Sequence, residues 1–424
     1  MRTRLLAFCC LLIAVLPAYG EDGFVGTGAV RDVHDPCMIK FNDAYYVYHT
    51  SGMGGPDIKR SQDLIQWESL GRVFDHILPW SREIVPELNA YWAPDVAFWD
   101  GRYYLYYSGA QYGTNNSFIG LAVNTTLDPG DAKYRWEDKG MVIRSIPGVD
   151  HHNCIDPNII IDADGQPWMS FGSFYAGIKL VKLDRKTGLR AQDDRIIYNL
   201  AFIPERGHDV EAPYIVRKGE YYYLFASYGA CCRGVGSTYH IKVGRSKSVT
   251  GPYLDDKGID MQAGGGLLFL RGYYPVFGPG HNGVLMNDDG VDWLVHHFYD
   301  PHMFWHDDMW GKPTLQIRPI VWSKDQWPLP GRSYSGPTKE AKLTKEDMVG
   351  CWSQSVHFTD SHELLLKSDG TCSFLQSIGH WTYKDYELTL DWGPWVDTLV
   401  VARDGKSCVG FNQDHVIIRN EKLD

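Results

Sequence analysis

A chain of 424 residues with 58 aromatic side chains, 44 glycines and 22% charged residues is too apolar to stay disordered and too rich in turn formers for a helical bundle. Its formal charge of −11 argues against a nucleic-acid partner, because phosphate contacts need a basic face. At roughly 150 residues per domain, the length asks for two or three domains.

Residues 1–20 read as a secretory signal peptide. Arg2 and Arg4 precede an apolar run from Leu5 to Leu16, and Ala18-Tyr19-Gly20 offers small residues for cleavage. A run of 12 is too short to span a bilayer. The expectation is an exported protein, secreted or periplasmic, with no membrane partner and a mature charge near −13. Seven cysteines then remain, an odd number whose spacings match no zinc pattern. The vicinal Cys231 and Cys232 suit either a strained local bridge or two buried thiols. Cys351, Cys372 and Cys408 leave room for one bridge near the C-terminus.

Next comes an internal repeat. Aromatic, alternating segments start at Ala44, Arg102, Pro167, Tyr221 and Asp292, at intervals of 58, 65, 54 and 71 residues. Period-two patterning of Tyr, Val, Phe and Trp predicts strands. A shorter strand precedes each one; four of these open with a proline, at Pro36, Pro94, Pro157 and Pro213, and the fifth has His281 instead. Polar, mostly Gly-containing turns join the pairs, such as Asp100-Gly101 and Asp289-Gly290. A third strand follows, as from Ile119, Gly177 and Ile241. Five such units averaging near 62 residues predict an all-β chain, a five-bladed β-propeller over 21–333. A β-sandwich would not return the same grammar five times. The Pro- and Gly-dense stretch from Trp327 to Pro337 reads as a linker, bounded here as 334–344. Residues 345–424 then predict a small lipocalin-like β-barrel or sandwich, in which Trp352, Trp381, Trp392 and Trp395 pack strand faces.

In a propeller the innermost strands border the central channel. Asp35, Asp156 and Glu211 stand at or just before the proline of blades 1, 3 and 4, so three carboxylates enter one volume. Blade 2 adds Trp92 and Asp95, and blade 5 adds His281. Crowding drives carboxylate pKa values apart, which suits glycoside hydrolysis, where one carboxyl is protonated and another ionised.

The motifs VHDP (33–36), NCIDPN (153–158), VEAPYI (210–215) and GPGHN (278–282) resemble those of family 43 glycoside hydrolases. CCRGVGSTY (231–239), VGRS (243–246), TGPY (250–253), MQAGGG (261–266), WAPD (92–95), IGLAVN (119–124) and FGSF (171–174) resemble its endo-arabinanase branch. The likeness runs from about residue 26 to residue 330. It implies cleavage of α-1,5-linked arabinan or arabino-oligosaccharides with inversion. Asp35 is then the general base, Glu211 the general acid, and Asp156 the residue that orients that acid and keeps its pKa high. Base and acid are expected about 6.5–9.5 Å apart, to admit a water. His281 matches a family histidine beside a channel calcium held mostly by water. Trp92 and Phe118 are candidates to stack on sugar, and Asn153 and Ser173 to bond its hydroxyls.

Two features depart from the pattern. Cys154 replaces a more usual Ala, and His302–Asp308 is a polar insertion better read as a surface loop than as a zinc site. Asp162-Ala-Asp164-Gly165 reads as a hairpin turn and lacks the other ligands of a calcium loop. An exo-arabinanase, an α-L-arabinofuranosidase or a β-xylosidase would fit the same scaffold. A non-catalytic sugar-binding propeller would have no need of all three acids. The oligomeric state is left open.

Overall fold

The computed structural model describes residues 21–23, 25–204, 209–287, 290–302 and 312–423. The leader at 1–20, Asp289 and all but His302 of the His302–Asp308 insertion lie outside the described residues.

Five antiparallel sheets follow one another along the chain as blades. Blade 1 runs outward from His34–Phe41 through Ala44–Thr50 and Asp57–Ser61 to Gln66–Arg72, with Thr27–Gly28 added in parallel at its edge. Blades 2 to 5 start at Trp92–Trp99, Asn158–Ile161, Val210–Lys218 and Phe277–Leu285, each with four strands in sequence order. The alternation that predicts these strands is used on both faces, because each blade is covered on either side by its neighbours. Tyr48, Leu105, Tyr107, Val181, Tyr223 and Phe225 are all fully buried between blades. Pro328–Pro330, inside the stretch read as linker-like, is the outermost strand of blade 5.

Among the described residues, the last blade is joined to the first by a single backbone bridge, Arg31 with Thr314, flanked by the bonds Val33 N–H to Pro313 and Leu315 N–H to Val30, and otherwise by packing. There Val30, Val33, Met38 and Val47 pack on Trp293, Val295, Leu315 and Ile317. Gly283 sits at this seam because a Cβ there would come within 3.2 Å of the blade 1 backbone at Pro36 and Cys37.

Eight strands from Gly350–Val356 to Ile417–Lys422 form a closed barrel. Its interior is filled by Trp352, Trp381, Leu364, Leu388, Leu399 and their neighbours, whereas Trp395 stays half-exposed. Outside the barrel, Phe358, Val409, Phe411 and Ile417 join Phe269, Leu270, Trp327 and Leu329 of blades 4 and 5 in one apolar cluster. The seven cysteines among the described residues are unbridged, so the bridge expected among Cys351, Cys372 and Cys408 does not form; Cys372 and Cys408 pack in the barrel core instead.

Candidate active site

The inner strands share a local irregularity that places the site. In blades 1, 2, 4 and 5 three residues of the inner strand oppose two of the next, a β-bulge of one residue. The residue at its centre, or at the equivalent point before the inner strand of blade 3, has positive φ in every blade: Asp35 (54°), Ala93 (39°), Asp156 (58°), Ala212 (53°) and His281 (44°). Such a conformation costs a non-glycine residue on the order of 1–3 kcal/mol and persists only where neighbours hold it. Bulges re-aim side chains, and here they aim them at the channel mouth.

The neighbour that holds each bulge is the preceding blade. Thr50 Oγ1 accepts the Ala93 N–H (2.8 Å), and Ser108 Oγ accepts that of Asp156 (3.0 Å). Asp156 Oδ2 accepts that of Ala212 (3.2 Å), and Ser227 Oγ that of His281 (2.8 Å). His297 Nδ1 accepts the N–H of Asp35 (3.2 Å) and completes the circle. One layer below, Asp95 Oδ2 takes the Ile159 N–H (2.6 Å) and Asn158 Oδ1 that of Ile215 (2.8 Å). Asp95 is therefore an interblade clamp, fully buried and pushed up to about 7 by that burial.

Asp35 is gripped at both oxygens. His34 Nδ1 (2.6 Å) and His281 Nδ1 (2.9 Å) meet Oδ1, and Thr50 Oγ1 donates to Oδ2 (2.6 Å). Burial alone would raise this carboxyl, but the charges of His281 and His34 hold it well below the usual range. Glu211 behaves oppositely. Its burial raises its pKa, against the hydrogen bond from Ser173 Oγ to Oε2 (2.7 Å), and the negative charge of Asp35 raises it further. Asp156 is pushed up to about 8 by burial, with Glu211 and Asp35 adding to the rise and His281 opposing it. The three acids thus sense one another electrostatically, and their environments separate an ionised Asp35 from two carboxyls that keep a proton to higher pH. Through the Ala212 N–H, Asp156 also fixes the bulge that carries Glu211.

The remaining sequence-predicted residues divide. Trp92 is half-buried and occupies in its blade the register position of His34 and Glu211, so it remains available to a sugar. Phe118 is not: it is fully buried with its ring 4.8 Å from that of Trp80, and no face is left for a ligand. The expectation of stacking there is corrected. Asn153 is buried and accepts from Ser117 Oγ (2.6 Å), a bond that braces the strand entering blade 3. Ser173 turns to Glu211 rather than to solvent. Asp162 closes a hairpin turn on the N–H groups of Asp164 and Gln166.

Thr50, Ser108, Ser227, His34 and His297 escaped the sequence reading. One signal was present: Thr50, Ser108, Ser173 and Ser227 are each the seventh residue of their repeated segment. The vicinal cysteines are not both buried, since Cys232 is exposed; both sulfurs approach His34.

A calcium ion of the kind the resemblance implies can be tested against these residues. Asn282, next to His281, is buried, and neither atom of its amide finds a partner among the described residues. An unused amide oxygen on the residue next to His281, in a site whose charge comes from carboxylates, suits a hard, hydrated cation. The residues present fit.

A family model for glycosyl hydrolases family 43 matches residues 30–328. The chain belongs to this family. Within it, the extracellular exo-α-(1→5)-L-arabinofuranosidase of Cellvibrio japonicus is 43% identical over 307 residues, 70% of this chain and 86% of that protein. The extracellular endo-α-(1→5)-L-arabinanase 1 of Bacillus subtilis is 40% identical over 299 residues, with 70% and 87% covered. The crystal structure of the endo-1,5-α-L-arabinanase of Thermotoga petrophila covers 94% of this chain and all of its own (100%), with a TM-score of 0.76. At 24% identity it speaks for the fold alone, a fold that includes the barrel. As a family 43 member with three acids at its channel mouth, the chain is a glycoside hydrolase.

Proposed function

We propose that this enzyme is exported and hydrolyses α-1,5-L-arabinofuranosidic bonds within arabinan by inversion. The observation that carries the proposal is the opposite protonation bias of Asp35 and Glu211 in one channel mouth. Asp35, ionised, takes a proton from a water on the ring face away from the leaving group. Glu211, protonated, gives its proton to the departing oxygen. Asp156 holds the Glu211 bulge and adds negative charge when ionised, and Trp92 offers a ring face to the sugar. Arabinan is supported as substrate by the names of the two relatives at 40% identity or above. Both are named extracellular, which accords with a leader at 1–20.

His281 and Asn282 would hold the calcium. It would supply positive potential under the carboxylates. Exhaustive chelation is expected to lower activity, and calcium to restore it.

Asp35→Asn and Glu211→Gln are each expected to abolish turnover of linear arabinan while leaving the circular dichroism unchanged. Retained turnover in either would remove that residue from its role. Proton NMR of the first product should show the inverted anomer. A second reading, exo action, is favoured by the name of the 43% identical relative. Product profiling separates the two: an early spread of oligosaccharides with falling viscosity means endo cleavage, and one fixed small product means exo.

A further inference from the structure

The wall behind the general base carries sulfur. Cys231 Sγ and Cys232 Sγ lie 3.6 and 3.7 Å from His34 Nε2, on the side of the imidazole away from Asp35. The other ring nitrogen, Nδ1, is committed to Asp35 Oδ1 at 2.6 Å. In the neutral ring the proton therefore sits on Nδ1, and the Nε2 lone pair points at the two sulfurs. Tyr299 OH is also near it, at 3.2 Å, and accepts the Cys232 N–H.

We propose that Cys231, Cys232 and His34 form a binding site for a thiophilic transition-metal ion of the zinc or cadmium type. A metal ligated by a histidine whose second nitrogen bonds a carboxylate is a recurrent arrangement, and here Asp35 is that carboxylate. With metal–sulfur and metal–nitrogen distances of about 2.3 and 2.0–2.1 Å, a tetrahedral site sets its sulfur–nitrogen edge near 3.6 Å. Both observed edges match. The sulfurs, now 2.7 Å apart, would have to separate to roughly 3.8 Å. Exposed Cys232 is free to turn outward for this.

His297 adds an independent observation. It stacks on His34 at 4.0 Å, and one of its nitrogens lies within 4.8 Å of both Cys231 Sγ and a nitrogen of His34. Its Nδ1 accepts the Asp35 N–H, so its own proton is on Nε2, which is fully buried and has no partner among the described residues. His297 thus adds a second buried imidazole within reach of Cys231. Binding releases the thiol protons, together with the Nε2 proton of His34 when the ring is charged, to solvent and leaves the Nδ1 proton on His34, between the metal-bound ring and Asp35. This donor set is soft, unlike the oxygen donors that a calcium ion takes. An ion held there stands one imidazole away from Asp35, so occupancy should slow the reaction.

The test uses the full chain, reduced with a phosphine, stripped with chelator and kept in excess calcium. Cadmium or cobalt is titrated alone. One equivalent should raise a thiolate-to-metal charge-transfer band, and Cys231→Ser/Cys232→Ser should lack it although its fold and basal activity are kept. The same equivalent should lower arabinan turnover of the parent by about tenfold or more, reversibly with a dithiol chelator, and leave the double variant untouched. No band, or an equal band in the double variant, would overturn the site. So would a Cys231–Cys232 bridge that resists reduction in the folded protein. A band with undiminished turnover would overturn the link to Asp35. The absorbance arm does not depend on the proposed substrate: a metal-free enzyme inert on arabinan would count against that proposal and leave the metal site standing.

Discussion

Thr50→Val removes two bonds at once and leaves side-chain volume nearly unchanged. Thr50 Oγ1 donates to Asp35 Oδ2 at 2.6 Å and accepts the Ala93 N–H at 2.8 Å. A hydrogen bond to a charged group contributes about 1.5–3 kcal/mol, and a buried N–H left without a partner costs about 1–3 kcal/mol. Ala93 is only 2% exposed, so water has little room to take the vacated place. Because Val fills the same space, no cavity cost is added. The expected loss is about 3–5 kcal/mol, read as a lower midpoint in urea unfolding followed by tryptophan fluorescence. The same change frees one oxygen of the base, and small displacements of a catalytic group cost up to about 100-fold in rate. The kcat on arabinan should fall by about 10- to 100-fold with KM little altered, and Thr50→Ser should restore both properties. A valine variant within about 1 kcal/mol and twofold of the parent would refute the clamp.

Ser173→Ala removes the donor that favours ionised Glu211, so the acid keeps its proton to higher pH and the basic limb of kcat/KM moves upward; an unmoved or lowered limb would contradict the assignment. Asp156 is raised to about 8 in the fold, whereas the unfolded chain ionises near pH 4, so between these values only the unfolded state has released the proton. Stability of the metal-free enzyme should therefore fall as pH rises from about 4 to 8, and Asp156→Asn should flatten that slope in urea unfolding at several pH values; parallel slopes would count against it. Asp22→Ala strips the acidic partner from buried Arg318 and Arg419, and should cost about 3–5 kcal/mol by the same assay, whereas a change under 1 kcal/mol would show that the pair is dispensable.

What was legible beforehand follows from periodicity. Alternating aromatics and an X-Pro returning near every 62 residues were enough for five blades, because each repeat must bury the same two faces. The three acids could be read because they stand beside those prolines. Register was harder. Asp35 and Asp156 are themselves the positive-φ residues of their blades, whereas Glu211 precedes that of its blade, Ala212, a distinction that only the backbone reveals. Phe118 was misjudged because a strand pattern marks a face without saying what covers it, and Trp80, from a separate short helix, covers this one. The histidines around Asp35 come from three strands, His34, His281 and His297, and no sequence spacing announces their meeting. Pro328–Pro330 looked like a linker because proline cannot donate to a ladder, yet an outermost strand asks for pairing on one edge alone.

The barrel is best understood through the way the ring closes. Between blades 5 and 1 the described residues make only a short backbone bridge, at Arg31 and Thr314, so the seam depends largely on apolar packing, on the Gly283 approach and on a few contacts such as Arg31 to Asp300 at 3.1 Å. Opening such a seam would release five blades whose bulges are held only by their neighbours. The N-terminal segment counters this from outside. Thr27–Gly28 is bonded to the outer strand of blade 1, whereas Asp22, five residues earlier, is buried against blade 5 and the barrel. Gln316 Nε2 (2.9 Å) and Ser333 Oγ (2.7 Å) donate to its carbonyl, Arg318 Nη1 lies 3.4 Å from its carboxylate, and Arg419 of the barrel pairs with the other oxygen. Blade 1 is thus tied to blade 5 through the barrel. A filled barrel interior offers no room for a ligand, but its outer face extends the apolar cluster of blades 4 and 5 and shields the Asp22 ion pairs from water. Its contribution to catalysis is accordingly indirect: by keeping the ring shut, it keeps Asp35 of the first blade on the His297 of the last.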